Sequence, residues 1–217
     1  MQKRIIKHLA SIAITMTSIN AYAVLPGLYL GVMGGPAINS GGSQNVQTDS
    51  IPPSIGSVSP KSTQFGTRLY LGYKINQYAG IESGFTYYSQ AKYKMPDDTS
   101  ACGSAKASVK SLDVVGRGSL PLSSFEVFGK AGVAVVYETT SGPLNPNLQQ
   151  TCGKSNNAVG YRPTVSAGVA YNLSQAAVVD LTWTRTQVGG VLNSYDFYAI
   201  GISYHFVDIY CGQFLCD

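Results

Sequence analysis

Residues 64–88 read QFGTRLYLGYKINQYAGIESGFTYY, and the alternation inside them decides what this chain can be. From Gln64 to Tyr73, Leu69 and Leu71 alternate with Arg68 and Tyr70; from Tyr78 to Tyr88, Ile81 and Phe85 alternate with Glu82 and Thr86. A period of two sends successive side chains to opposite faces of a strand. Lys74 to Gln77 leaves room only for a tight turn, so the stretch predicts an antiparallel hairpin. Each arm has about ten residues, the length a tilted strand needs to cross a bilayer.

Working outward, eight such segments recur: Leu28 to Gly35, Gln64 to Tyr73, Tyr78 to Tyr88, Ser108 to Leu120, Phe125 to Tyr137, Arg162 to Tyr171, Ala177 to Thr186 and Asp196 to Phe206. Their connections alternate in length. Short turns are expected at Lys74 to Gln77, Pro121 to Ser124 and Asn172 to Ala176; long ones at Pro36 to Thr63, Ser89 to Ala107, Glu138 to Tyr161 and, shorter, Gln187 to Tyr195. An even strand number with short turns on one side and long loops on the other is the pattern of a membrane-spanning barrel. A soluble sandwich has no such alternation.

The charges test this fold. A Lys or Arg facing lipid at mid-bilayer costs about 2–4 kcal/mol, so central charges must share the inward parity. Arg68, Glu82, Asp113, Arg117, Glu126, Lys130 and Asp180 all do, opposed by aliphatic residues such as Leu112, Val127, Val133 and Leu181. Arg185 and Asp196 break the parity near strand ends, where the cost falls to about 0–1 kcal/mol. The outward parity also collects the aromatics into two belts, where amphipathic rings sit at headgroup level. Tyr73, Phe125, Tyr171, Tyr204 and Phe206 stand at the short-turn side; Phe65, Tyr87, Tyr137 and Tyr198 stand at the long-loop side, with Trp183 somewhat deeper.

Composition agrees. Among 217 residues only 12% are charged, while Gly (24) and Tyr (15) are abundant. A mean hydropathy of +0.05 spreads the apolar content along the chain, which excludes a bundle of transmembrane helices. Lys3, Arg4 and Lys7 precede an apolar stretch from Leu9 to Ile19 that ends in Ala21, Tyr22 and Ala23, the layout of a secretory signal peptide over residues 1–23. Its removal takes three of the 15 basic residues and none of the 11 acidic ones, leaving a net of +1. A nearly neutral chain has no basic field for nucleic acid.

These residues resemble the OmpA-like and opacity-protein family of eight-stranded outer-membrane barrels. Gly31, Gly72, Tyr73 and the run Gly80, Ile81, Glu82, Ser83, Gly84, Phe85 are similar to the family's early hairpin. Phe128, Gly129, Lys130, Ala131, Gly132 and Val133 resemble its fifth strand, and Val179, Asp180, Leu181, Thr182 and Trp183 its seventh. Gly201, Ile202, Ser203, Tyr204, His205 and Phe206 resemble the closing strand, whose outward aromatics are read by the insertion machinery. The resemblance implies an all-β, antiparallel, up-and-down barrel over residues 24–206 in the bacterial outer membrane. Only Val207 to Asp217 follow, a short periplasmic tail, so the peptidoglycan-binding activity of longer relatives is not carried over.

Several side chains invite a chemical reading. Arg68 and Glu82 flank one tight turn, and Arg117 and Glu126 the next, at positions expected to lie opposite or diagonal on neighbouring strands. The interior of an eight-stranded barrel is just wide enough for side chains to fill. The inward ions are therefore expected to pair with one another as a plug; the sharper alternative is a gate whose salt bridges switch to open a narrow conductance, as the resemblance implies for some members. Cys102 and Cys152 lie in two long loops on one side, and an exported chain meets oxidising conditions, so a disulfide between them is expected. Cys211 and Cys216 are expected to close a ring in the tail. With His205 the one histidine past the signal segment, and inside the barrel, a zinc site is not expected.

No P-loop or dinucleotide fingerprint occurs, and Gly116 and Gly118 read as strand glycines for close packing. Some outer-membrane barrels are lipid A-modifying enzymes or omptin-like proteases, with His paired to Ser or an acid at the outer rim. His205 lies at the other end, with Ser203 beside it, and reads as a lumen filler bonded to neighbours. No cofactor is expected. The partners expected are outer-membrane lipid and a host or matrix ligand at the loops, where rigid scaffolds display binding segments. The expected role is structural or adhesin-like, with a small passive channel and a barrel enzyme as alternatives.

Overall fold

A computed structural model describes residues 26–41, 44–47, 55–58, 63–92, 106–141, 155–189 and 192–206. Ten strands follow one another: β1 (Gly27–Gly41), β2 (Gln44–Gln47), β3 (Ile55–Val58), β4 (Thr63–Lys74), β5 (Ala79–Lys92), β6 (Lys106–Leu122), β7 (Phe125–Ser141), β8 (Ser155–Asn172), β9 (Ala177–Gln187) and β10 (Leu192–His205). β1 and β4 to β10 close into one barrel, each strand antiparallel to the next, with β1 paired to β4 on one side and to β10 on the other. Closure leaves no unpaired edge, which hydrocarbon requires because it offers the backbone no hydrogen bonds. Among the described residues no helix is long and apolar enough to cross a membrane, a test that does not bear on strands.

Alternation carries through into packing. β4 is strictly exposed-buried from end to end, so Phe65, Leu69, Leu71 and Tyr73 point out while Arg68 and Tyr70 point in. The exposed face is apolar and the buried face polar, the reverse of a water-soluble sheet. Tight turns follow from local side chains: the Asn76 carboxamide oxygen accepts from the Tyr78 and Ala79 amides at 2.8 Å, and Ser174 Oγ accepts from the Ala177 amide at 3.0 Å. Each caps a turn that the backbone alone would leave unsatisfied.

The strands are longer than the hydrophobic pattern predicts. β6 and β7 have 17 residues and β8 has 18, against about ten needed to span lipid. The surplus lies on the long-connection side: β1 runs to Gly41 where a loop from Pro36 is expected, β7 runs to Ser141, β8 begins at Ser155, β10 begins at Leu192, and β2 and β3 form a separate hairpin. These extensions mix polar residues with scattered apolar ones, so no regular hydrophobic alternation announces them; ladder hydrogen bonds to neighbours hold them. Seven extra residues lift the wall roughly 15–20 Å above the hydrocarbon, given the rise per residue and the tilt. On the other side Lys74 belongs to β4, so the first turn keeps its length but moves on by one residue, to 75–78; the second is tighter than expected, because Pro121 pairs with Glu126 inside the β6–β7 ladder.

The segments 1–23 and 207–217, with Cys102, Cys152, Cys211 and Cys216, lie outside the described residues.

Candidate functional site

The interior is the first place where chemistry collects. In one layer four cations, Arg68, Lys74, Arg117 and Lys130, gather with four carboxylates, Glu82, Asp113, Glu126 and Asp180; Glu138 and Arg162 share the inward parity nearer the long connections. Glu82 is the hub: Lys130 Nζ lies at 2.7 Å, Arg68 Nη2 at 3.0 Å and Arg117 Nη1 at 4.0 Å, and the Tyr29 hydroxyl donates to it at 3.1 Å. Arg68 also pairs with Asp113, donating from both terminal nitrogens. Glu126 takes Arg117 at 2.8 Å and Lys74 at 2.6 Å. Rings close the gaps: Arg117 sits 4.0 Å over Phe128, and Lys130 lies between Phe128 at 5.1 Å and Tyr70 at 5.3 Å.

Three details differ from the sequence expectation. Arg68 and Glu82 are not opposite or diagonal: Arg68 pairs with Thr86 and Glu82 with Gly72, a stagger of four residues along the ladder. The guanidinium spans it by lying over Gly84, where a Cβ would meet Arg68 Cζ. Arg117 and Glu126 are staggered likewise, facing Lys130 and Pro121. Asp180 joins no ion pair; its oxygens accept from Tyr70 at 3.0 Å and Thr182 at 2.7 Å. Gly116 and Gly118 face outward, with no close neighbour at Gly118, so close packing does not explain them.

Lys74 completes the layer, although its sequence places it in a turn; its parity, the same as that of Arg68, is the signal that finds it. Tyr29 and Tyr70 answer a different demand. The Tyr70 ring covers its cross-strand partner Gly31, and the Tyr29 ring covers Gly72. A Cβ at either glycine would collide, so each ring needs its glycine to fit the narrow lumen.

Toward the long connections the ionic layer gives way to an apolar one. Tyr88 stacks on Tyr195 with centroids 4.4 Å apart and meets Phe197 edge-on at 5.9 Å. Val109, Val136, Leu192 and Ala37 pack with them, and none of these seven side chains is more than 2% exposed. One wall between the layers is hydroxylated, with Thr164 to Thr186 and Ser166 to Thr184 both at 2.9 Å. At the short-turn end His205 stacks on Tyr29 at 4.8 Å and meets Ser203 Oγ at 3.5 Å from Nε2. Its Nδ1 has no partner, so it is bonded on one ring nitrogen only. No carboxylate holds the ring, and among the described residues no group of three metal-binding side chains occurs.

The outer wall carries the ten aromatics of the two belts, Tyr171 and Trp183 half-buried and the others exposed. Tyr204 packs edge-on against Phe206 at 5.3 Å, and Phe125 leans on Tyr171 at 4.9 Å. The parity-breaking Arg185 and Asp196 are ladder partners, face outward and pair at 3.4 Å; Trp183 Nε1 also donates to Asp196 at 3.1 Å.

A closed antiparallel cylinder with an aliphatic, aromatic-girdled exterior and an ion-paired interior defines an integral β-barrel protein of the bacterial outer membrane. The chain belongs to the family of outer-membrane protein β-barrel domains, whose match covers residues 9–206. An uncharacterized protein of Coxiella burnetii is 30% identical over 177 residues, covering 67% of this chain and 70% of that one. Among solved structures, Neisserial surface protein A superposes with a TM-score of 0.58 at 16% identity, covering 83% of this chain and 97% of that one. OprG of Pseudomonas aeruginosa superposes at 0.56 and 15% identity, covering 87% and 100%. At such identity these two structures speak to fold alone.

Proposed function

We propose that this protein is a sealed scaffold that presents its long connections at the cell exterior for surface interaction, with a structural or adhesin-like role and no catalysis. The observation that carries the reading is the filled lumen. A balanced layer of four cations and four carboxylates lies beneath an apolar layer of Tyr88, Tyr195 and Phe197, and an ion or solute would have to disrupt both. With the bore occupied, the accessible surface that varies in chemistry is the rim beyond the long-side aromatic belt. The strand extensions support the same reading, since they lift that rim clear of the headgroups.

The test is binding of refolded protein to host cells and extracellular matrix, compared with a variant lacking residues 93–105 and 142–154. Those deletions spare every paired strand residue. Binding that survives both deletions undiscounted removes the loops from the reading.

A gated channel has one observation in its favour: Arg117 lies between two carboxylates, 2.8 Å from Glu126 and 4.0 Å from Glu82, so its partner is exchangeable. Planar-bilayer recording distinguishes the two. Steps of conductance that change with Arg117→Ala support the gate; a silent bilayer supports the sealed scaffold. Expression that changes the mass of lipid A or of a test peptide would instead indicate a barrel enzyme.

A further inference from the structure

Among the described residues only five charges face outward: Arg185 and Asp196, which neutralise each other, and Lys92, Lys106 and Lys110. All three lysines stand on β5 and β6 at the long-connection side. Lys92 and Lys106 are direct ladder partners, an arrangement that like charges destabilise. No described carboxylate pairs with any of the three. Lys110 lies between Tyr87 and Tyr137 in one cross-strand row, with its ammonium 5.9 Å from the Tyr87 ring centroid. This places one cation and two phenols together in the aromatic belt, where a membrane presents its headgroups, with Lys92 and Lys106 four to five residues further along the same strands toward the rim.

The same row continues downward in chemistry. Tyr87 pairs with Thr67, and Thr67 with Gly34. The short outward side chain of Thr67 and the absence of one at Gly34 leave an apolar groove of about 550 Å³ in the lipid-facing wall, flanked by Val32, Leu69, Phe85, Tyr87 and Ile200. Three strand spacings, roughly 15 Å, separate Gly34 from Lys110. A single amphiphile with an acyl chain in the groove would bring its headgroup to the lysines.

We infer that this face is a specific site for a phosphate-bearing, multiply acylated lipid of the outer leaflet, its phosphate held by Lys92, Lys106 and Lys110 and one acyl chain seated over Gly34 and Thr67. The anion removes the like-charge conflict on the β5–β6 ladder, and the groove explains why the wall is notched beside it. The inference rests on the long connections facing the cell exterior. That orientation is read independently by an epitope inserted between residues 142 and 154 and stained on intact cells.

The experiment is native mass spectrometry of the full-length refolded protein in detergent, titrated with bisphosphorylated hexaacyl lipid A, its dephosphorylated form, and inorganic phosphate alone. Because the lipids are supplied, the result does not depend on orientation. At about fivefold per lysine, replacing all three by Gln lowers affinity for the bisphosphorylated lipid about 100-fold, and Lys110→Gln alone about fivefold. Gly34→Leu fills the groove without a backbone clash, since its Cβ position has ordinary contacts of 3.4 Å or more. It weakens both lipids while keeping the phosphate preference. The proposal is overturned if the two lipids bind equally, if the triple variant stays within twofold of wild type, if Gly34→Leu binds unchanged, or if inorganic phosphate displaces the lipid.

Discussion

Glu82→Gln strands one particular ammonium, and the size of the effect follows from who loses what. Arg68 keeps Asp113 and Arg117 keeps Glu126, but Lys130 has no carboxylate other than Glu82, which it meets at 2.7 and 2.8 Å. Its side chain is 4% exposed, so water does not take over. Breaking a buried pair by removing one partner costs about 3–5 kcal/mol, because the remaining charge keeps its desolvation penalty without compensation. Glu82→Gln is therefore expected to destabilise the barrel by that amount. Lys130→Met in the same chain removes the stranded charge and is expected to recover about 2 kcal/mol or more as a coupling energy. Urea unfolding in phospholipid vesicles reads both values through the fluorescence of Trp183, the chain's one tryptophan, with heat-dependent gel mobility as a second probe. A loss below about 1 kcal/mol, the range of an exposed ion pair, or strict additivity of the two substitutions, refutes the stranded-charge account.

Asp180→Asn is expected to cost only about 1–2 kcal/mol in the same assay, because Asp180 accepts from two hydroxyls and meets no cation; a loss equal to that of Glu82→Gln counts against the partner assignment. Val114→Arg, 54% exposed in the middle of β6, is expected to cost about 2–4 kcal/mol in vesicles, and a neutral result there would contradict the lipid-facing assignment of that face. Gly132→Ala places a Cβ against the Val114 carbonyl and Val115 Cα and is expected to cost about 1–3 kcal/mol. Gly118→Ala meets nothing within 4 Å and is expected to be neutral or stabilising by about 0.4–1 kcal/mol through the unfolded chain; equilibrium unfolding of the pair gives the contrast.

Residues 64–88 show how far the sequence alone reaches. Alternation there is strict because lipid tolerates no charge on one face and the lumen receives them all on the other, so strand count, facing and girdle positions follow from parity. The same rule assigns Arg68, Glu82 and Lys130 to the interior. It also includes Lys74, once the turn is moved on by one residue.

What alternation does not carry is distance along the ladder. That Arg68 stands opposite Thr86 and still reaches Glu82 depends on the stagger between β4 and β5 and on the space above Gly84, and neither is a property of a single strand. For the same reason Asp180 shares the parity of the ion pairs but finds hydroxyls, the Tyr88 and Phe197 rings become a dry layer only after closure brings β5 and β10 face to face, and three lysines on two strands become one patch. Hydrophobic transfer is local and is written residue by residue, whereas pairing of charges and rings requires groups far apart in the chain to reach a common point, and only the closed barrel provides it.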